Sequence, residues 1–193
     1  MNARTDHHRK SVRLPGYDYS QAGAYFVTIV TNQRVCLFGQ IIEDQMRLSK
    51  AGLIAEARWL AIPEHFPHAE LGAFVVMPNH IHGIIVLHDR AAAEPPPVGA
   101  THWVAPTPDA ERRRPKGPIR GSIGAIVGAY KMAVTRQIAQ ALGGGLKVWQ
   151  RNYHEHIIRD ERDHRKVHDY IAVNLLKWQT DDENQGSSTF ESP

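Results

Sequence analysis

The sequence has almost no cysteine: Cys36 is the only one among 193 residues. A single thiol excludes an internal disulfide framework and any zinc site built from several cysteines. The sequence also lacks a run of the ~20 apolar residues that a membrane-spanning helix needs. Residues 1–10 are charged and lead into no apolar signal segment, so we expect no secretion. These absences predict a cytoplasmic protein without a membrane partner.

Charge of one sign is not in large excess, since the formal net charge is +3 and the sequence pI is about 9.1. This balance is a weak indication of a polyanionic partner. The basic residues are clustered, at 7–13, 112–120 and 159–166. Such clusters neutralise phosphates, although they are also common on solvated surfaces and in tails. The charge pattern alone therefore leaves nucleic-acid binding open.

The length and the hydrophobic content of 42% predict one globular domain. We place this domain at 21–179, after a basic arm at 1–20 and before a polar tail at 180–193. A proline- and arginine-rich stretch at about 89–120 has few apolar residues, and we predict that it is a mobile insertion.

Hydrophobic periodicity predicts a strand, a hairpin, a helix, two strands, a helix, a strand and a final helix. Ser49 is predicted to cap the first helix and Pro63 to end it. The predicted elements lie at 24–32, 36–48, 50–60, 71–77, 81–87, from 122 to the glycines at 143–145, and at 146–158 and 161–178. This order predicts an α+β fold in which a central antiparallel β-sheet is flanked by helices.

Two histidines, His80 and His82, are separated by one residue in a predicted strand. Alternate residues of a strand point to the same face, so the two imidazoles lie side by side and could bind a metal ion. Other metal-binding folds use the same pattern, and on its own it is more often two hydrogen-bonded histidines near a strand end. A second pair, His154 and His156, flanks Glu155 and follows Tyr153, which makes it a rival metal site.

The last predicted helix carries a tyrosine and an amide four residues apart. Tyr170 and Asn174 therefore lie on one side of the helix, where a hydroxyl and an oxygen ligand could enter one site. Lys177 follows on the same side and could contact a phosphate. Spacing alone is equally consistent with a tyrosine that packs in the core with its hydroxyl outward.

Several ordered motifs resemble one family, the single-tyrosine HUH transposases, and within it the REP-associated tyrosine transposases. The sequence His80-Ile81-His82 after Met77-Pro78-Asn79 resembles the family's histidine–hydrophobic–histidine motif. The segment 170–174 resembles the helix that carries the catalytic tyrosine and, four residues later, an amide ligand. The segments 13–19, 24–31 and 149–153 are also similar, so the resemblance runs from about residue 13 to residue 178.

This resemblance implies the HUH-nuclease variant of a ferredoxin-like fold. It implies that Tyr170 attacks a phosphate of single-stranded DNA and forms a 5′-phosphotyrosine, with Mg²⁺ or Mn²⁺ bound by His80, His82 and Asn174. The implied partner is single-stranded or hairpin DNA from repeated elements, with no nucleotide cofactor, and the protein would be a nucleoid-associated monomer or homodimer. We expect the DNA to contact a set of basic residues: Arg4, Arg9, Lys10, Arg13, Lys131, Arg151, Arg159 and Lys177.

The sequence departs from the family pattern at two places. Many transposases of the wider group have glutamine at the position of Asn174, and in the REP-associated branch a proline often stands where this chain has Leu175. The stretch at 89–120 is also longer than the family pattern suggests. These differences bear on the DNA target more than on the chemistry.

Two other functions are consistent with the same residues. A metal-dependent hydrolase would use the histidines to activate water, so it would cleave without a covalent protein–DNA species. A DNA-binding regulator would bind hairpins without cleaving them.

Overall fold

The computed structural model describes residues 17–89, 118–178 and 184. Its centre is a four-stranded antiparallel sheet formed by β1 (Gly23–Val30), β4 (Ala69–Val76), β5 (His80–Leu87) and β6 (His154–Ile158), in the order β4-β5-β1-β6. A small separate hairpin is formed by β2 (Gly39–Ile42) and β3 (Gln45–Leu48). The helices are α1 (Lys50–Leu60), α2 (Ile62–His65), α3 (Ile123–Leu142) and α4 (Glu161–Val173). The predicted α+β class with an antiparallel sheet is confirmed.

The main core lies between the sheet and the two helices α1 and α3. One face of β1 and β5 presents apolar residues to these helices, among them Val27, Ile29, Ile81 and Ile85, all fully buried. Gly83 lies on the same face, and a Cβ built there would overlap the indole ring of Trp59 on α1. The absence of a side chain at Gly83 therefore allows α1 to pack closely on the sheet.

A smaller core lies on the opposite face of the sheet, beneath α4. Ile84, Ile158 and Ile171 are buried there, with Phe26 and Val167 packed against them. Because α4 buries few apolar side chains, this face of the sheet keeps room for polar residues at the start of β5.

The three predicted helix starts and one predicted stop at the glycines agree with the structure. The Ser49 hydroxyl accepts a hydrogen bond from the Gly52 N–H at 3.1 Å, and Ser122 caps α3 through the Ala125 N–H at 3.3 Å. Gly143 ends α3 with a φ of 93°, a conformation that favours glycine.

The first helix ends at Leu60 as predicted, but two other predicted boundaries are wrong. Pro63 also lies in the first turn of a further short helix, α2, where its missing N–H breaks no helical hydrogen bond. Only His154–Ile158 of the predicted strand at 146–158 is a strand; the part before it is a loop with one bridge, between Thr31 and Trp149. The last helix ends at Val173 and not near residue 178, and turns follow it.

Other predictions fall on residues that the structure does not describe. Most of the arm at 1–20, most of the insertion at 89–120 and nearly all of the tail at 180–193 lie outside the described residues. The division into arm, domain and tail therefore stays a prediction. Within the described ranges, no helix is both long enough and apolar enough to cross a membrane.

Candidate active site

Two buried histidines begin strand β5 on the face that α4 covers. His80 and His82 are 0% and 3% exposed, and their Nε2 atoms lie 2.9 Å apart. The strand alternation predicted from the sequence therefore places both rings side by side. β5 is an inner strand of the sheet, so its neighbours on both sides fix the positions of these two residues.

The Nδ1 atom of each histidine is hydrogen-bonded to a neighbouring side chain. Asn79 Oδ1 lies 2.8 Å from His80 Nδ1, and Thr28 Oγ1 lies 2.9 Å from His82 Nδ1. Asn79 Nδ2 donates to the Arg34 carbonyl at 3.1 Å, so the amide presents its oxygen to His80. An amide oxygen only accepts, so His80 carries its proton on Nδ1 and has a lone pair on Nε2.

His80 stays neutral over the physiological pH range. Burial lowers its pKa to about 3, and the nearby positive charge of Arg34 contributes in the same direction. In the structure the Nε2 lone pair of His80 accepts a hydrogen bond from His82 Nε2 at 2.9 Å. A neutral imidazole with such a lone pair is the form that binds a metal ion.

Tyr170 brings a hydroxyl from α4 to the histidine pair. Its oxygen lies 3.2 Å from His82 Nε2, and its ring contacts the rings of His82 and Phe26. Phe26 also stacks on His82, with 5.3 Å between ring centroids. The Tyr170 side of the site remains open, since this residue is 41% exposed. A substrate can therefore approach this residue.

Asn174 is buried beside the same site with an unsatisfied amide. It is 1% exposed, and neither its Oδ1 nor its Nδ2 has a hydrogen-bond partner within the described part of the chain. Its neighbours along the chain contact the histidines, since Tyr170 reaches His82 and the Trp178 ring lies 6.0 Å from the His80 ring. A buried amide without a partner costs free energy, about 1–3 kcal/mol, and so indicates a ligand at this position.

The two histidine nitrogens have the spacing of adjacent ligands on a divalent metal ion. Two adjacent ligands of an octahedral Mg²⁺ ion lie about 3.0 Å apart, and the two Nε2 atoms lie 2.9 Å apart. The described residues contain no group of three or more His, Cys, Asp or Glu that could hold a metal. A third protein ligand would therefore have to be another donor, and the Asn174 amide oxygen is one.

The rival histidine pair does not form a comparable site. His154 and His156 are exposed on β6, whereas Glu155 points to the opposite face of the sheet and is buried. His156 Nε2 is hydrogen-bonded to Asp163 at 2.9 Å. Strand alternation thus separates the carboxylate from both histidines.

The predicted DNA contacts are distributed differently in the structure. Arg151, Arg159 and Lys177 are exposed. Lys131 is half-buried, and its ammonium donates to three consecutive carbonyls, those of Gln150, Arg151 and Asn152, at 2.6–3.4 Å. Burial lowers the pKa of Lys131 to about 8. Lys131 thus holds the loop that carries Arg151, while Arg4, Arg9, Lys10 and Arg13 lie outside the described residues.

Four residues of the site were missed in the sequence: Phe26, Thr28, Arg34 and Asn79. Asn79 precedes His80 directly, so its adjacency was a usable signal. Thr28 and Phe26 alternate along β1, which indicated a shared face, but their pairing with His82 and Ile84 depends on the register of distant strands. Arg34 lies in a tight turn where Gln33 and Arg34 both have positive φ, of 54° and 56°, which no sequence pattern indicated.

Comparisons with known proteins identify relatives of this chain. No family model matches it. An uncharacterized protein of Haemophilus influenzae is 38% identical over 178 residues, which cover 91% of this chain and 92% of the relative.

Two solved structures are similar at a greater distance. One is a REP-associated tyrosine transposase bound to a REP hairpin, with 22% identity, a TM-score of 0.49, and coverage of 83% of this chain and 71% of that chain. The other is a Deinococcus radiodurans R1 protein assigned as a transposase, with 18% identity, a TM-score of 0.43, and coverage of 83% and 95%. Likenesses this distant assign no activity. At 38% identity over nearly the whole length of both proteins, the chain belongs to the family of the Haemophilus influenzae protein.

Proposed function

We propose that this protein is a single-strand DNA endonuclease and strand transferase, of the kind found in tyrosine transposases. The observation that carries the proposal is the position of the hydroxyl of Tyr170, 3.2 Å from His82 Nε2 and next to a second histidine, on a helix that also carries a buried unsatisfied amide. A nucleophile next to a set of neutral metal ligands is suited to reaction with a phosphate.

In this proposal the Tyr170 oxygen attacks a DNA phosphorus atom. The bond between the tyrosine oxygen and phosphorus forms while the bond from phosphorus to the 3′ oxygen breaks. The phenolic proton leaves to solvent on the open side of the ring, and the 3′ oxygen takes up a proton and departs as a hydroxyl group. The DNA 5′ end is then attached to the protein, and a 3′-hydroxyl can reverse the reaction.

His80, His82 and Asn174 would hold Mg²⁺ or Mn²⁺, which supplies Lewis-acid polarisation of the phosphate when bound. Asn79 and Thr28 orient the two imidazoles through their Nδ1 atoms. Phe26 fixes the Tyr170 and His82 rings relative to each other by contacts on both. The proposed substrate is single-stranded DNA at the flank of a hairpin formed by a repeated element.

The test is formation of a covalent protein–DNA band. Wild-type protein, Tyr170→Phe and the control Tyr153→Phe are incubated with labelled hairpin DNA, with Mn²⁺ or with chelator, and separated under denaturing conditions. The proposal predicts a metal-dependent band from the wild type and from Tyr153→Phe, and no band from Tyr170→Phe. Cleavage without a band would support a water-activating hydrolase instead, and binding without cleavage would support a regulator.

A further inference from the structure

A basic cleft lies between β6 and the first turns of α4, on the same side of the sheet as Tyr170. It encloses about 480 Å³. Six residues line it, of which four carry basic side chains: His156, Arg159, Asp160, Arg162, Asp163 and Lys166. The amino-terminal end of α4 adds the positive end of a helix dipole. The cleft therefore attracts anions, provided that its two carboxylates do not neutralise it.

Both carboxylates are committed to bonds within the protein. Asp160 Oδ1 caps α4 by accepting from the Asp163 N–H at 2.8 Å. Asp163 Oδ2 accepts from His156 Nε2 at 2.9 Å and from the Arg159 N–H at 3.2 Å. These bonds direct the carboxylates toward the backbone and β6.

The cations have no comparable partners. Within the described part of the chain, the guanidinium groups of Arg159 and Arg162 form no hydrogen bond or ion pair, and Lys166 has only an electrostatic interaction with Asp163. All three residues are exposed. Guanidinium groups bind phosphate oxygens in a bidentate manner, so a phosphate group is the anion that this arrangement fits best.

The register of the sheet places the cleft beside the candidate active site. His156 is paired with Phe26 on β1, and Phe26 contacts the Tyr170 ring. His82 lies two strands from β6, a separation of ~10 Å across the sheet. On α4, Lys166 precedes Tyr170 by one turn, which is a rise of ~6 Å. A strand whose phosphate meets Tyr170 can therefore continue into the cleft.

We propose that this cleft binds a backbone phosphate of the same DNA strand that Tyr170 attacks, next to the attacked phosphate. Arg159, Arg162 and Lys166 are the contacts. The identity of its DNA substrate rests on the proposed function. Binding in this cleft would mean that the protein also recognises the DNA on one side of the cleaved position. Removal of the cations would weaken the binding of DNA that carries this flank and leave shorter DNA unaffected.

The test compares Arg162→Gln/Lys166→Gln with the control Arg165→Gln. Arg165 lies on the same helix, is 72% exposed and pairs with Glu161 at 3.1 Å outside the cleft. Binding of the hairpin DNA is measured by fluorescence anisotropy at several salt concentrations, with the single strand extended stepwise on each side of the hairpin. Each lost phosphate contact lowers the slope of log affinity against log salt by about 0.7.

The cleft variant should lose the affinity gained from one extended flank, and its slope should fall by at least about 0.7. Arg165→Gln should keep both the affinity gained from the extended flank and the salt slope of the wild type. An unchanged slope in the cleft variant, or an equal fall in both proteins, would overturn the proposal. Titration with inorganic phosphate is the second arm: a cleft that binds free phosphate while the DNA slope stays unchanged would also overturn it.

Failure of the proposed function is recognised separately. The covalent band of the wild type is measured with the same DNA. Absence of that band would sink the strand-transfer chemistry, whereas a slope change confined to the cleft variant would still establish a DNA phosphate site.

Discussion

Asn79 determines which nitrogen of His80 faces the candidate metal site. Its amide is oriented by the Arg34 carbonyl and accepts the proton of His80 Nδ1, so Nε2 keeps its lone pair. Residues that orient a metal-binding histidine in this way influence the affinity although they do not touch the metal.

Asn79→Ala should weaken Mn²⁺ binding by about 10–100-fold, because His80 then adopts either tautomer and more than one ring orientation. The affinity is measured by Mn²⁺ titration in a calorimeter. The control Asn152→Ala changes an exposed asparagine and should bind Mn²⁺ like the wild type. Equal affinity of all three proteins would show that Asn79 does not orient a ligand. Thermal melting without metal checks that the variant is folded.

Asn174→Leu should separate the metal role of Asn174 from its role in stability. Its amide has no partner among the described residues, so replacing it by an apolar side chain should not lower the free energy of unfolding without metal. With Mn²⁺ at ~100 times its dissociation constant, the wild type should gain about 2.7 kcal/mol, and the variant should gain much less.

Urea unfolding with and without Mn²⁺ measures both effects on Asn174→Leu. A metal-free variant that is clearly less stable would mean that the amide has a structural partner. A full metal-dependent gain in the variant would exclude Asn174 as a ligand.

At the scale of elements, Asp163 connects the start of α4 to β6. Its carboxylate accepts from His156 and from the Arg159 N–H, and the pKa of Asp163 is lowered by the His156 hydrogen bond first and the Arg159 hydrogen bond second. A carboxyl with a lowered folded-state pKa stabilises the fold above its ordinary pKa, and this contribution is lost as the pH falls through the lowered value.

Asp163→Asn should therefore be less stable than the wild type at neutral pH, and the difference should shrink as the pH falls below the ordinary aspartate pKa. Urea midpoints are compared from pH 7 down to pH ~3, below the ordinary aspartate pKa. Asp169→Asn is the control, because this exposed carboxylate lies 3.7 Å from His168 and forms no hydrogen bond or ion pair with β6. A difference that does not depend on pH would show that ionised Asp163 does not connect the two elements.

The contact between α1 and β5 depends on one missing side chain. Gly83→Ala places a Cβ into the Trp59 ring, so it should destabilise the protein by about 1–3 kcal/mol. Gly128→Ala is the matched control in α3: nothing lies within 4 Å of the added carbon, so it should stabilise by about 0.5–1 kcal/mol. Equilibrium urea unfolding gives both values. A neutral Gly83→Ala would mean that α1 moves away at little cost.

Element types were predictable from the sequence where a local pattern determined them. The capping serines and the glycines after α3 act on their own neighbours, so their effects could be inferred from adjacent residues. The end of α1 before Pro63 was predicted correctly, but α2 was missed because a proline that ends one helix is also tolerated in the first turn of the next. The loop before β6 was missed because its carbonyls bind Lys131, which comes from a distant part of the chain.

The candidate site was predictable in part for the same reason. The spacing of His80 and His82 and of Tyr170 and Asn174 is local. That β5 and α4 bring these two pairs together is a tertiary fact, and the sequence pointed to it only through a family resemblance. The cleft depends on strand register across β6 and β1, and no local pattern contains that information.

At the scale of the whole molecule, the two faces of the sheet differ in packing. The face under α1 and α3 carries the larger cluster of buried side chains, whereas α4 buries one residue, Ile171, among its thirteen. Regions with few buried apolar contacts open at lower free energy than the rest of a domain. The face that carries Tyr170 is therefore the less stable one.

Hydrogen exchange should show this difference directly. Amides of α4 should exchange faster than those of α1 and α3 in metal-free protein. If Mn²⁺ binds as proposed, it would join Asn174 to the histidines of β5 and slow the exchange of α4. Mass-spectrometric exchange on wild type and Asn174→Leu measures both effects. Equal protection of all three helices without metal would contradict the expected difference in stability.

The close packing of Gly83 on Trp59 also has a consequence for the evolution of this family. A relative can acquire a side chain at position 83 only if the ring at position 59 is replaced by something smaller, and the reverse change leaves a void in the core. Single substitutions at either position pass through a less stable intermediate, so the two positions should change together among homologues. Sequences of further members should therefore combine glycine at position 83 with tryptophan at position 59, or a larger residue at position 83 with a smaller one at position 59. Other combinations should be rare.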